Sequence, residues 1–548
     1  MSRLRMLTIC FACTFFPWIC YAQKISGPLI LKSGVEDGYT LFAPLNDTKT
    51  YLIDNCGRVV NKWKSEFTPG NTAYLLPNGN LLRTKKLPNT IITGGGGGGG
   101  VELFDWNSNL IWSFELNDEK FRLHHDVAYL SNGNILMIVW ELKTQEEALA
   151  VGRNPELIPG NGVIWSEQII EVKPISINSF EIVWKWLLWD HLVQDFDDEK
   201  NGFGQVSDHP ELVDINYVNQ GAISDWIHAN SLDYNEELDQ VVIGSPFFNE
   251  FWIIDHSTTM EEAASHSGGN TNRGGDLLYR WGNPKAYKSG TVEDQKLFGQ
   301  HDVHWIKEQN EQSGNIILFN NNIGVDHSSV EVVNPTLNEN FGYDLIEQSY
   351  GPTTSTITYK STPADQFHSR IMGGVQSLPN NNLLICSSLQ GLIFEVTPDA
   401  EIVWRYKSPI TVDGIEGRDF EGSNSNFVSD NNFRATKYSK DYSAFNNIDL
   451  IPKEPIEGEP WIPCSIVTEV EEYNEINIEI FPNPVHDELY VESPEPERLI
   501  SIRLLTLQGQ IIYDLTRQGK FMLDVRDLNQ GLYILLIDNK LTKIIEIK

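Results

Sequence analysis

The sequence predicts an all-β protein, a six-bladed β-propeller followed by a small C-terminal β-sandwich. Three observations predict it: a hairpin phrase that recurs, a composition rich in turn and strand formers, and an alternating apolar–polar tail beyond an acidic, proline-rich linker. The 548 residues include 42 glycines, 26 prolines and 15 tryptophans but only 6 methionines. Glycine and proline punctuate turns and aromatic residues fill pleated surfaces, so this is the composition of a β protein and not of a helical bundle. Hydrophobic residues reach 41%, enough for a large core, which excludes wholesale disorder.

The repeat has two halves. The first is an apolar strand, a turn of Asn-Gly type and a second strand: AYLLPNGNLL (73–82), AYLSNGNIL (128–136), KEQNEQSGNIILF (307–319) and QSLPNNNLLI (376–385), with SLDYNEELDQVVI (231–243) a looser copy. Asn-Gly between alternating apolar residues is the strongest short-range hairpin signal. The second half is a hairpin closing on an aromatic residue: YLIDNCGRVVNKW (51–63), ELFDWNSNLIWSF (102–114), IIEVKPISINSFEIVWKW (169–186), FWIIDH with a distant DLLYRW (251–281), and IFEVTPDAEIVWRY (393–406). SVEVV and STITYK (329–360) form a degraded copy, and GYTLFAPL (38–45) completes the first hairpin. Units therefore start near residues 38, 71, 125, 228, 301 and 373, each with about four short strands, the content of a propeller blade. Insertions break the period at 187–227 and 257–275 and are expected to border a binding site. The run Gly94–Gly100 has the backbone freedom to let a ligand approach closely, but it reads rather as a flexible surface loop and lacks the Lys-Ser/Thr of a phosphate loop.

The two ends carry other information. Arg3 and Arg5 precede an apolar run from Leu7 to Tyr21 that ends at Ala22-Gln23, the pattern of a secretory signal peptide over residues 1–22. No later stretch offers the ~20 apolar residues of a transmembrane helix. Cys10, Cys13 and Cys20 leave with the signal; Cys56, Cys386 and Cys464 remain, allowing at most one disulfide. Residues 23–451 are expected to form the propeller, 452–475 the linker and 476–548 the terminal module. A formal net charge of −34 repels nucleic acid, which excludes it as a partner.

Three histidines occupy what reads as one repeat position: His125 in HHDVAYL, His228 in DWIHANSLDY and His301 in GQHDVHWI. Matching positions in a propeller point at one central channel, so three imidazoles are expected to converge there. Such a set can bind a metal, or it can accept and transfer an anionic group, imidazole being both a nucleophile and, when protonated, a donor to sulfuryl or phosphoryl oxygens. Asp126 and Asp302 follow two of these histidines and Asp225 precedes the third, and a carboxylate beside a histidine fixes its tautomer. Asn230, two residues after His228, is placed to donate through its amide. No cofactor motif is present: there is no adjacent cysteine pair, no GxSxG or HExxH, and DFDDEKNG (195–202) lacks the spacing of a calcium loop.

These residues carry a resemblance. DWIHANSLDY with FWIIDHS, then GQHDVHW and GNIILFNNN, then GGVQSLPNNNLLICSSLQGLIFEVTPDAEIVWRY resemble the bacterial arylsulfotransferase family, from about residue 38 to 445. The resemblance implies a six-bladed propeller that moves a sulfuryl group from an aryl sulfate to a phenol, without a nucleotide donor, through a sulfated histidine. It implies that His228, His301 and Asn230 line the active site. The family's nucleophilic histidine lies in a later repeat, where this chain has Gly373; His368 and Arg370 in FHSRIMGG are the nearby candidates, with Arg370 standing in for a family arginine. The nucleophile is then His368 or His301. The alternative to an enzyme is a secreted propeller that binds glycans or proteins. The tail, with Phe481-Pro482-Asn483-Pro484, the Leu507–Gln510 turn, Gly531-Leu532-Tyr533 and Lys548, resembles the C-terminal sorting domain of the type nine secretion system of Bacteroidetes. That implies passage through the periplasm and outer membrane to the cell surface or medium, with the secretion machinery as partner.

Overall fold

The recurring phrase folds as antiparallel sheets of four strands, six of them in the first of two compact units, Met1–Ile466 and Val467–Lys548. The computed structural model describes residues 26–324, 327–346, 348–360, 367–411, 414–415, 431–446, 448–458, 478–492, 497, 499–506, 511–537 and 541–548. The expected signal peptide, Cys464 and most of the expected linker lie outside them.

The second to sixth sheets follow the sequence repeat. They comprise Pro69–Leu75, Leu81–Lys86, Gly99–Phe104 and Leu110–Glu115; then Phe121–Tyr129, Ile135–Thr144, Val163–Ser176 and Ser179–Leu187; then Ser231–Asn235, Gln240–Ser245, Glu250–Asp255 and Tyr279–Trp281. His301–Trp305, Ile316–Asn320, Ser329–Val333 and Thr356–Lys360 make the fifth, and Gly374–Ser377, Leu383–Ser387, Leu392–Val396 and Ile402–Lys407 the sixth. The first sheet joins the two ends of the unit. Gly38–Pro44, Lys49–Asp54 and Val59–Lys64 are preceded in the sheet by Asn432–Ser439, which pairs with Gly38–Pro44 from Gly38↔Ser439 to Pro44↔Asn432. Gly27–Leu31 adds a fifth strand to the sixth sheet along Ile402–Lys407. GYTLFAPL is thus the second strand of its sheet, and the first comes from the far end of the unit. First strands pack in a cycle: each touches the first strand of the next sheet, and Gly374–Ser377 touches Asn432–Ser439.

The aromatic ends of the hairpins latch one sheet to the next. The indole of Trp63 donates to the Asp105 carbonyl (2.9 Å), Trp112 to Ser179 (3.2 Å), Trp186 to Gly275 (2.7 Å), Trp281 to Pro352 (2.6 Å) and Trp404 to Asn55 (2.8 Å). Every acceptor lies between the third and fourth strands of the following sheet or at the start of the fourth, the sixth sheet reaching the first. A buried indole needs one partner for its N–H and brings a large apolar body, so one residue per hairpin fills the gap and fixes the neighbour. The degraded fifth copy ends in Tyr359, buried against Phe367 and Phe394.

The insertions are folded structure. Residues 188–230 run through short helical turns and a parallel pair, Leu192–Val193 with Val213–Asp214, and put Leu188, Val213, Ile215, Trp226 and Ile227 into the largest core cluster. Cys56 is disulfide-bonded and Cys386 is a buried free thiol.

The second unit has two antiparallel sheets: Glu479–Phe481, Glu488–Glu492 and Lys520–Asp524; and Ile511–Gln518, Leu499–Thr506, Gly531–Ile537 and Leu541–Ile547 in that spatial order. Alternate residues of both, Leu489, Val491 and Leu523 with Ile500, Ile502, Leu504, Leu535 and Ile537, share one core. Among the described residues no helix is long and apolar enough to cross a membrane.

Candidate active site

His125, His228 and His301 line a single cavity of about 730 Å³, with Arg370, Asp225, Asn249, Met372 and the rings of Phe247, Phe298 and Phe433. They do not all reach it in the same way. His125 lies four residues before Tyr129, which pairs with Ile135, and His301 four before Trp305, which pairs with Ile316. His228 lies seven before Asn235, which pairs with Gln240. Only two of the three therefore share a repeat position. Asp233, five residues after His228, is a buried carboxylate that receives the Trp305 N–H (3.1 Å) and pairs with Lys307. His228 is delivered by the insertion.

The glycine run is the cavity wall and not a free loop. The Gly96 carbonyl receives the His125 N–H (2.9 Å) and the Asn71 amide (2.7 Å), and the run continues into the strand Gly99–Phe104. Gly96 has φ +73°, and a β-carbon there would overlap the His125 ring. At Gly95 the nearest atom would be His228 Cε1 at 3.8 Å. Gly96→Ala is therefore expected to displace His125 and lower the melting point, an overpacking cost of roughly 1–3 kcal/mol, whereas Gly95→Ala leaves it nearly unchanged. Thermal melts of the two variants check this.

His228 is held by Asp225, whose Oδ2 lies 2.6 Å from Nδ1, and its ring stacks on Phe247 (4.5 Å, 12°). Asp225 is itself fixed by a bridge to Trp165. Burial favours the neutral ring, but the Asp225 carboxylate outweighs it and holds the His228 pKa above the usual imidazole value. Nδ1 donates to Asp225, which leaves Nε2 as the lone-pair nitrogen, with no protein partner among the described residues.

His125 belongs to a buried relay that the sequence reading did not identify. Its Nδ1 lies 2.8 Å from Nδ1 of His124, whose Nε2 lies 2.9 Å from Glu167 Oε2. His124 is stacked flat on Trp140 (3.7 Å, 5°), and Glu167 also receives the Ala229 N–H (2.9 Å). Burial pushes Glu167 far up and His124 and His125 far down, so the three share protons as neutral groups. The His125 ring is 4.6 Å from that of His228.

His301 has both nitrogens engaged. Nδ1 contacts Asn321 Oδ1 (2.9 Å) and the Gly299 carbonyl (3.0 Å), and Nε2 accepts the Met372 N–H (3.1 Å). Burial pushes its pKa down to about 3. Asn230 is fully buried behind the wall and donates to the Gln300 carbonyl (2.8 Å). His368 does not line the cavity; its Nε2 lies 3.3 Å from Asn322 Oδ1. Arg370 is exposed and does line it.

Asp126 and Asp302 turn away from the histidines that precede them. Both grip Arg434 of the strand Asn432–Ser439, at 2.6 and 2.8 Å. Arg434 also bonds Tyr74 Oη (2.7 Å) and the Asn230 carbonyl (3.2 Å), and a β-carbon on Gly374 would strike Asp302. One buried guanidinium thus gathers groups from the first, second, third and fifth sheets and from the lead-in to the fourth, beside the start of the sixth.

Comparison with known proteins adds the following. The arylsulfotransferase family model matches residues 30–407, and the secretion system C-terminal sorting domain matches residues 479–547. That terminal module directs export to the cell surface or medium. No curated protein matches the chain. Similar solved structures include a protein of unknown function from Bacteroides caccae (10% identity, 73% of this chain and 98% of that one, TM-score 0.37). Others are a protein from Lactobacillus plantarum (7%, 74% and 100%, TM-score 0.34) and a streptogramin B lyase (10%, 75% and 94%, TM-score 0.32). At TM-scores below 0.5 these likenesses carry no argument. The family match spans more than half of the sequence and includes all three cavity histidines, and the chain belongs to the arylsulfotransferase family.

Proposed function

We propose that the chain is an aryl-sulfate sulfotransferase in which His228 Nε2 carries the sulfuryl group from an aryl sulfate donor to a phenolic acceptor. The observation that carries the reading is the Asp225–His228 pair, which commits Nδ1 and leaves Nε2 free on a residue lining an aromatic-walled cavity. In the first half-reaction Nε2 attacks sulfur, the N–S bond forms, and the S–O bond to the aryl group breaks with its electron pair on the phenolate. His125 gives its Nε2 proton to that phenolate; His124 replaces it at Nδ1, and Glu167 reprotonates His124 at Nε2, becoming a carboxylate. In the second half-reaction the acceptor phenol returns its proton along the same path, its oxygen attacks sulfur, and the pair of the N–S bond goes back to His228. No co-reactant is needed. Arg370 and the amide of Asn249, whose Oδ1 receives the Gly299 N–H (2.9 Å) and whose NH₂ has no partner among the described residues, neutralise the sulfuryl oxygens. Phe247, Phe298 and Phe433 take the aryl ring.

The same reading takes the six sheets as the blades of a propeller closed by Asn432–Ser439, the two sheets after residue 476 as a β-sandwich, residues 1–22 as a signal peptide and 452–475 as a linker. The test is to mix the mature protein with a chromogenic aryl sulfate and a phenol. Expected are phenolate release that depends on the acceptor and a sulfated acceptor; absence of both over a broad donor panel, with measurable glycan binding, would support a binding propeller instead.

Glu167→Gln is nearly isosteric but cannot cycle a proton. Turnover with the phenol acceptor is expected to fall by ~10²-fold, with the pH profile altered and the melting point little changed. An unchanged pH profile would remove the relay from the mechanism.

A further inference from the structure

The two insertions that break the repeat meet at residues that do not line the cavity. His191 follows the helical turn Leu188–Asp190 at the end of the third sheet, while His266 and Asp276 belong to the connection between Glu250–Asp255 and Tyr279–Trp281 of the fourth. Asp276 Oδ1 lies 2.9 Å from His191 Nδ1 and 2.7 Å from His266 Nδ1. All three ligating atoms fall within 4.8 Å of one another, the one such histidine–acid group among the described residues.

The hydrogen bonds around His191 orient it. Its Nε2 lies 2.8 Å from the Ala263 carbonyl, which can only accept, so in the neutral ring that a metal ion takes, Nε2 carries the hydrogen and Nδ1 the lone pair. Nδ1 and a second imidazole nitrogen are aimed at the same carboxylate oxygen. A backbone carbonyl orienting one ring nitrogen while the other converges with a carboxylate is the outer-shell pattern of metal-ligating histidines. His256 shows a different arrangement: one ring with a separate carboxylate on each nitrogen, Asp239 at 2.7 Å and Glu171 at 3.2 Å, as suits an imidazolium.

The site is rigid and open on one side. Trp186 lies parallel to the His191 ring (5.8 Å, 4°) and donates to the Gly275 carbonyl (2.7 Å), and a β-carbon on Gly275 would overlap the Ala263 carbonyl. His191 and Asp276 are buried, whereas the His266 side chain is 63% exposed, which gives an ion a way in.

We propose that His191, His266 and Asp276 bind one divalent transition-metal ion of the zinc class, tying the connection that holds 266–276 to the insertion that delivers His228. Two neutral imidazoles and one carboxylate suit such an ion and leave a coordination position for water.

The probe is Co²⁺, followed by Zn²⁺ competition, on the untagged full chain freed of metal with a chelator. Expected are one equivalent bound, a visible d–d absorption that Zn²⁺ abolishes, and a rise in melting temperature on metal addition. His266→Ala removes an exposed side chain, so the metal-free melt should match wild type while metal affinity drops by ~10²-fold or more. Asp276→Asn should weaken binding similarly. His209→Ala, at another surface histidine beside an acid (Glu211, 3.0 Å), should bind as wild type does. The proposal is overturned if wild type takes up no stoichiometric ion, or if binding survives unchanged in both His266→Ala and Asp276→Asn.

Discussion

Replacing His228 by alanine is expected to abolish sulfuryl transfer, lowering turnover by ~10³-fold or more while the fold persists. The size follows from what is removed: the carrier itself, leaving only the cavity's positioning and charge neutralisation. The neighbouring substitutions separate roles. His301→Ala frees the Met372 turn but leaves the carrier, so the sulfated intermediate should still form from donor alone. His368→Ala lies outside the cavity and should cost little. Trapping the acid-labile sulfated histidine on mixing with donor, and mapping it by peptide mass, decides among them; a label on His301 or His368 would sink the assignment to His228. Proton linkage supplies an independent check. Nucleophilic Nε2 requires the neutral ring, and Asp225 holds the His228 pKa above the usual 6.5, so turnover should rise with pH through a value above 6.5. Asp225→Asn removes the outweighing carboxylate, burial then prevails, and that limb should move to lower pH with the rate depressed by loss of the fixed tautomer.

Most of the fold was legible because its signals are local. Turns of Asn-Gly type between alternating residues, and a closing tryptophan in five of the six units, mark the hairpins over about a dozen residues, and the latches explain why that position is an indole. What was not legible lies at the centre. The strand Asn432–Ser439 reads as polar because two of its inward side chains are charged: Arg434 between two aspartates, and Lys437 on Glu395 at 2.7 Å. An innermost strand whose partners sit on other sheets loses the apolar alternation that identifies a strand in isolation. The relay was hidden for a similar reason. Alternation puts adjacent residues such as His124 and His125 on opposite faces. His125 instead has φ +50°, and the register slips between Met137 and Val139, so the two imidazoles meet. His228 was legible as a cavity residue, although an insertion places it and not the repeat.

Arg434→Met is expected to destabilise the first unit by about 3–5 kcal/mol, the usual cost of leaving buried charges without their partner. Two carboxylates depend on this one guanidinium: Asp126 is fully buried, and Asp302 is 8% exposed. Backbone amides also hold them, with Leu232 N–H on Asp126 at 3.0 Å and Val375 N–H on Asp302 at 2.8 Å, so neither can swing out to water without breaking contacts to the next sheet. Methionine matches the length of the side chain but supplies neither charge nor donors. Neutralising the acids as well, in Arg434→Met with Asp126→Asn and Asp302→Asn, removes the uncompensated charge and should recover part of the loss, a non-additivity diagnostic of one coupled network. Denaturant melts followed by tryptophan fluorescence measure this in the full chain, because none of the 15 tryptophans lies beyond Ile466 and the signal belongs to the first unit alone. A loss below about 1 kcal/mol, or strict additivity in the triple variant, would mean that solvent reaches the cluster and that the sheets are held at their centre by packing instead.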